Sequence, residues 1–195
     1  MTAFAPISRS APTAPEGARP RPGRATASSS STWSGAKSSA PSSPAREPPV
    51  IRLPDPLLKT IADEAEDAYP MECCGLFAGR REDAGGDVLI TRVQPSPNVA
   101  DGDRRKSFLV DAKIQFDMMR ELGDGPERIV GHYHSHPDHA ARPSDRDKQS
   151  VYYPDHVWVI IGLEDGHTKE VAAYLFDQTA ERFRQVEIIT DNPGN

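Results

Sequence analysis

From residue 51 onward the apolar positions follow two periods in turn. Leu57, Leu58, Ile61, Ala62, Ala65 and Ala68 recur at helical spacing, with Asp63, Glu64, Glu66 and Asp67 between them. This predicts an amphipathic helix over about 55–69, stopped at Pro70. Cys74 to Gly79 is a compact apolar run that reads as a buried strand, Arg80 to Gly86 as a turn, and Asp87 to Gln94 as an alternating strand. After a polar loop from Ser96 to Lys106, Phe108-Leu109-Val110 predicts a short strand. Asp111 then caps a helix whose apolar positions are Ile114, Phe116, Met118, Met119 and Leu122, ending near Gly123. Ile129-Val130-Gly131 leads into a strand rich in histidine, and Ser144 or Asp145 caps a short helix reaching about Tyr152. Val157 to Leu163 is continuously apolar, as expected of a central strand buried on both faces. Glu170 to Phe176 and Phe183 to Ile189 complete the sheet. Strands and helices mix without strict alternation, so the expected fold class is α/β: a single domain with a mixed β-sheet flanked by helices.

The first 50 residues break this patterning. They contain 10 Ala, 11 Ser and 9 Pro, and few large apolar side chains. Such a stretch cannot bury enough apolar surface to offset its conformational entropy, and it is expected to be a disordered N-terminal tail. Charge divides at the same place: residues 1–50 sum to +4, which leaves −10 of the total −6 for residues 51–195. The sequence thus divides into a tail (1–50), a domain (51–190) and a short C-terminal tail (191–195). An arginine-, serine- and alanine-rich, acid-poor N-terminus also fits an organelle transit peptide, but its many prolines argue against the amphipathic helix such peptides use. No apolar run reaches the roughly 18 residues of a membrane span. The acidic domain offers no basic stripe for a nucleic-acid backbone. A soluble, cytoplasmic protein with no membrane or nucleic-acid partner is expected. Cys73 and Cys74 are adjacent; a disulfide between them would be strained, so both are expected to be reduced thiols.

The chemistry concentrates in His134-Ser135-His136-Pro137 and Pro143-Ser144-Asp145-Arg146-Asp147. On a strand, side chains at i and i+2 share a face, so two imidazoles can aim at one point. The loop from Pro137 to Pro143 can turn the chain back and bring in the Asp147 carboxylate. Two nitrogens and one oxygen leave a fourth tetrahedral position open, as in a catalytic zinc site. His132 shares the same period-two face, so any two of His132, His134 and His136 satisfy spacing alone; His132 is taken as packed and His139 as a loop residue near the solvent. A hydrolytic site also needs a proton acceptor outside the ligand set. Glu72, just before the buried strand, is the candidate, against the plain alternative of a solvated strand end. Ser144 reads both as a helix N-cap, with Asp147 three residues on as in a capping box, and as a hydroxyl able to donate to an oxyanion.

Glu72, then His134-x-His136-x7-Ser144-x2-Asp147, resembles the complete signature of the JAMM (MPN+) zinc metallopeptidases over about residues 51–190. Tyr69-Pro70-Met71-Glu72-Cys73-Cys74-Gly75-Leu76, Asn98 and Ser107-Phe108 with Asp111 are similar to the bacterial and archaeal stand-alone members. The resemblance implies a cytidine-deaminase-like JAMM fold and one Zn2+ per chain held by His134, His136 and Asp147. It also implies a general base in Glu72, oxyanion support from Ser144, and no ligand role for His132. The substrate it implies is a peptide or isopeptide bond after the C-terminal Gly-Gly of a small ubiquitin-like or sulfur-carrier protein. The loop from Asn98 to Lys106 is the expected contact for that tail. Two alternatives stand beside it: a non-catalytic module that binds ubiquitin-like tails, and a RadC-like protein. The latter is disfavoured by Ser135 where those proteins carry asparagine.

Overall fold

A computed structural model describes residues 49–82 and 86–190. The tail expected to be disordered, apart from its last two residues, and the segment 191–195 lie outside the described residues.

The first helix, α1 (Asp55–Ala68), follows the two-residue strand β1 (Ile51–Arg52) and buries Ile61 and Ala65. Then come β2 (Cys74–Glu82), β3 (Asp87–Ser96), α2 (Ala112–Leu122) and β4 (Arg128–His136). The short α3 (Asp145–Gln149) precedes β5 (Val157–Glu164), β6 (His167–Asp177), β7 (Arg182–Val186) and β8 (Ile188–Ile189). All eight strands join one sheet in the order β7-β6-β5-β4-β2-β3-β1-β8. The pairing is mixed: β4 with β5 and β1 with both neighbours are parallel, the rest antiparallel. The expected fold class, one α/β domain with a mixed sheet, is what the chain adopts.

Each side of the sheet has its own packing. On one side α1 covers a core of Ile51, Leu53, Phe77, Tyr133, Val159 and Ile161. On the other, α2 covers Cys74, Leu76 and Ala78 through Met118, while Ala141, Trp158, Ile160 and Tyr174 form a separate cluster. β5 is buried along all but its last residue, as its apolar run predicts.

Several features differ from the sequence reading, among them the end of α3, which stops at Gln149 and not near Tyr152 because Ser150 closes it. Phe108-Leu109-Val110 is not a strand; only an isolated bridge joins Val110 to Asn98. Side chains claim the backbone donors there: Leu109 N–H donates to Asn98 Oδ1 at 3.1 Å and Asp111 N–H to Ser96 Oγ at 2.9 Å. β2 runs three residues past Gly79, because pairing with β3 continues through exposed Arg80, Arg81 and Glu82. The last segment is two strands, not one. β7 pairs with β6 at one edge of the sheet and β8 with β1 at the other, so the sheet is rolled until its edges meet across Glu187. Finally, Phe116 and Met119 lie outside the core, 55% and 48% exposed. The buried stripe of α2 runs through Met118 with Ile114 and Leu122 packed beside it.

Candidate metal centre

β4 lies between β2 and β5 near the middle of the sheet, where its backbone is paired on both sides. His132, His134 and His136 therefore share one face, as the period of two requires. Phe108 stacks on the His134 ring, 4.3 Å between centroids and 16° between planes. His136 sits at the strand end, with Nδ1 3.2 Å from the Ala140 carbonyl. That acceptor fixes the proton on Nδ1 and leaves Nε2 free to coordinate.

The chain then turns back across β5. Gly162 on β5, opposite His136, makes this possible: a Cβ there would lie 2.8 Å from Ala141 N and 2.9 Å from His139 O. Asp138, at φ 56°, pins the turn by accepting from Tyr69 Oη at 2.9 Å and from the Asp165 N–H at 3.1 Å. Ser144 then caps α3 in a reciprocal capping box with Asp147, as its spacing predicts. Both the N–H and the hydroxyl of Ser144 donate to Asp147 Oδ2 at 2.6 Å. The box aims a carboxylate that is only 4% exposed into the protein.

His134, His136 and Asp147 converge. Their Nε2 atoms are 3.0 Å apart, Asp147 Oδ1 is 3.3 Å from His134 Nε2, and Oδ2 is 3.6 Å from His136 Nε2. Tetrahedral bonds of about 2.0–2.1 Å put neighbouring donors about 3.3 Å apart. The histidines meet different oxygens of the Asp147 carboxylate, and one donor atom from each residue lies within 4.8 Å of the others, so the donor set fits a zinc ion in chemistry and needs only a small closing of the carboxylate in spacing. Burial holds His134 below its ordinary pKa, in the neutral form a metal needs. Burial opposes ionisation of Asp147, but the imidazoles and Ser144 outweigh it and hold the carboxyl well below the usual range. His134 lacks the outer acceptor that His136 has: its buried Nδ1 has no hydrogen-bond partner among the described residues.

Glu72 reaches the same place from another direction. It lies between α1 and β2, and its backbone is held from both sides. Its N–H donates to the Arg104 carbonyl at 2.8 Å, and its carbonyl accepts from Asn98 Nδ2 at 2.9 Å. The N–H of the next residue, Cys73, donates to Ser135 Oγ at 2.9 Å. The side chain is 7% exposed, and burial pushes its carboxyl up to about 8, with Asp147 adding to the rise and His136 and Arg146 opposing it. A cation held by the histidines and Asp147 would act in the same sense as His136 and favour the carboxylate. Glu72, His136, Ser144 and Asp147 line a narrow recess that adjoins a wider cavity of about 400 Å³.

The remaining candidates separate cleanly. His132 is buried edge-on against Trp158, ring centroids 4.1 Å apart, and is not one of the three converging groups. His139 is exposed and lines the wider cavity. Cys73 and Cys74 are free and buried, and burial pushes the Cys73 thiol up to about 12, so neither is a ready thiolate. Three positioning residues escaped the sequence reading. Ser135, between the histidines, has no role in the sequence pattern, Phe108 reads there as part of a strand, and Asn98 enters only through the family resemblance. Asn98 joins Glu72, Ser107, Ala100 and Leu109 through four hydrogen bonds. An asparagine in a polar loop carries no sequence signal of that.

Residues 54–183 match the family described as prokaryotic homologs of the JAB domain. The chain belongs to that family. It is 24% identical over 137 residues to the desampylase of Haloferax volcanii, covering 70% of this chain and 91% of that one. It is 29% identical over 130 residues to the CysO-cysteine peptidase of Mycobacterium tuberculosis, covering 64% and 82%. A solution structure of protein DSY2949 from Desulfitobacterium hafniense is 29% identical, with a TM-score of 0.63 over 73% of this chain and 93% of that chain. The chain is a hydrolase of this family. No helix among the described residues is long and apolar enough to cross a membrane.

Proposed function

We propose that this chain is a zinc-dependent peptidase or isopeptidase that cuts the bond after the C-terminal Gly-Gly of a small ubiquitin-like or sulfur-carrier protein, in the cytoplasm. One observation carries the chemistry: three metal-ligand atoms within 4.8 Å of one another, with Glu72 and Ser144 lining the recess beside them. The substrate class rests on the printed functions of the relatives, a desampylase and a CysO-cysteine peptidase.

His134, His136 and Asp147 would hold one Zn2+. When bound, that ion supplies Lewis acidity, easing deprotonation of a water and polarising the scissile carbonyl. Glu72 takes the proton from the attacking water and delivers it to the leaving amine as the C–N bond breaks. Burial raises the proton affinity of this carboxyl and a cation bound beside it would lower it, so Glu72 is placed both to take the proton and to give it back. Ser144 donates to the oxyanion; its hydroxyl points at Asp147 Oδ2 in this structure and must turn toward the cavity it lines. The tail reaches the recess past the loop from Asn98 to Lys106, whose backbone is tied to Glu72.

The test is direct. The full chain should purify with one equivalent of zinc and release the Gly-Gly tail from a ubiquitin-like fusion. Glu72→Gln should retain the zinc and lose roughly 10²–10⁴-fold in kcat. Well-folded protein that binds zinc sub-stoichiometrically, or binds tails without cutting them, overturns the reading.

A further inference from the structure

A groove next to the candidate centre carries a charge opposite to that of the domain. Residues 51–195 sum to −10, yet a cavity of about 430 Å³ between α3 and β7 is lined by Arg142, Lys148 and Arg182, with Asp145 as its one acid. Its floor is firmly built. Tyr174 Oη donates to the Ala141 carbonyl at 2.7 Å, and Phe183 packs edge-on against Trp158 and Tyr174, with ring centroids 5.0 and 6.3 Å away. The three cations are exposed and have no hydrogen bond or ion pair among the described residues. Asp177, opposite Arg182 in the sheet, accepts instead from the N–H groups of Thr179 and Ala180 at 2.9 and 3.0 Å. Cations elsewhere on the surface behave differently: Lys59, Arg92, Arg105 and Arg120 each sit against a carboxylate.

We propose that the groove between α3 and β7 is a docking surface for an extended acidic stretch of polypeptide on the leaving side of the cut, and that it selects among leaving chains by charge. The inference rests on the function proposed above. Glu72 protonates the leaving nitrogen, so the leaving residue occupies the cavity that Glu72 lines. The Gly-Gly tail arrives past the loop from Asn98 to Lys106, which leaves the departing chain the side of Arg142 and Ser144. Those two residues line both cavities, so the groove continues from the place where the leaving chain emerges. Alternate side chains of an extended segment face the same way, and acids at those positions can meet the three cations. Arg142 and Arg182 can take a carboxylate bidentately, and Lys148 meets one as a point charge. A basic segment meets three like charges in the same place, so the groove also discriminates by repulsion. Exposed ion pairs are individually weak and screened by salt. The groove therefore acts on the affinity for leaving chains and leaves the bond-breaking step to the recess.

Binding and turnover test this separately. The probes are acetyl-Gly-Gly peptides whose leaving side alternates alanine with glutamate, with glutamine or with lysine. The zinc-loaded Glu72→Gln chain, titrated calorimetrically, should bind the glutamate peptide roughly tenfold more tightly than the glutamine peptide at low salt, the sum of a few exposed ion pairs. The lysine peptide should bind most weakly, and the differences should shrink as salt rises. Lys148→Gln and Arg182→Gln should each narrow the glutamate preference about twofold, the scale of one exposed pair, with kcat on the glutamine peptide unchanged. Lys148→Glu combined with Arg182→Glu should reverse the order and favour the lysine peptide, a gain that damage to the fold does not produce. In the wild-type chain the glutamate peptide should show the higher kcat/KM, carried by KM. Equal binding and cleavage of the three peptides, or a glutamate preference that survives the double reversal, overturns this inference and leaves the proposed function standing. Cleavage of none of the three overturns the proposed function and the leaving-side assignment with it.

Discussion

The two faces of β4 are built from neighbouring residues to opposite standards. On the odd face, Tyr133 donates to Glu64 on α1 and packs on Phe77 at 5.3 Å, and Ser135 Oγ takes the Cys73 N–H. The polar groups on that face find partners within the fold. On the even face, His134 and His136 direct Nε2 atoms at each other across 3.0 Å, with Asp147 alongside and His134 Nδ1 without a partner among the described residues. A buried polar group without a partner costs about 1–3 kcal/mol, so a fold selected only for stability would not keep this arrangement. One face closes the fold, and the other holds donors ready for something outside the chain.

That contrast breaks most visibly on the even face. Asp147→Asn keeps the shape of the side chain and an oxygen to accept from Ser144, but removes the ligand charge. Zinc should raise the Tm of the wild-type chain by several degrees through preferential binding to the folded state. In Asp147→Asn that increment should vanish, and the metal-free Tm should also fall, because the fold itself favours this carboxylate. Differential scanning calorimetry with and without zinc measures both. A zinc increment that survives the substitution would show that the metal does not depend on Asp147, and the contrast would fail.

The odd face should respond the opposite way. Tyr133→Phe removes the hydroxyl that donates to Glu64, leaving a partly buried carboxyl to find water, at a cost of about 1–2 kcal/mol. Both Tm values should fall together and the zinc increment should survive. Ser135→Ala sharpens the comparison because it links the faces. It orphans the buried Cys73 N–H one residue from Glu72, so about 1 kcal/mol of stability should be lost. A fall in kcat larger than any change in zinc content should accompany it, read by urea unfolding and steady-state kinetics on one preparation. Loss of stability alone would confine Ser135 to the scaffold.

How much of this could be read from the sequence depended on whether the signal was local. The convergence of His134, His136 and Asp147 was legible because an i, i+2 pair on a strand and a capping box on a helix are both short-range rules, and each fixes its own side chain. The sheet and α1 were legible from periodicity for the same reason. The rolled closure across Glu187 was not, since Phe183 to Ile189 reads as one apolar-rich strand whichever edges it joins. Phe108 misled for a related reason: an apolar triplet resembles a strand, and nothing local says that Asn98 and Ser96 will take its backbone donors or that its ring will lie on His134. Glu72 lay between these cases. Its position before a buried strand was visible, but its held backbone depends on Asn98, Arg104 and Ser135, up to 63 residues away.

The smallest effect expected is a pH slope that belongs to the odd face alone. Burial raises the Glu64 carboxyl above its ordinary 4.5, partly offset by the Tyr133 hydrogen bond. A raised acid binds more protons in the folded than in the unfolded state through the window just above 4.5, so stability falls as pH rises through it. Glu64→Gln keeps an acceptor for the tyrosine and has no proton to lose, so it should flatten that slope. The difference between the two chains should be below about 1 kcal/mol, because the side chain is only half-buried and water screens it. Urea midpoints taken from pH 4 to 7 in the presence of a chelator remove the metal, and the titrations of Glu72, His134 and His136, common to both chains, cancel in the difference. A mutant whose profile tracks wild type throughout would mean that Glu64 is ionised as readily in the fold as outside it.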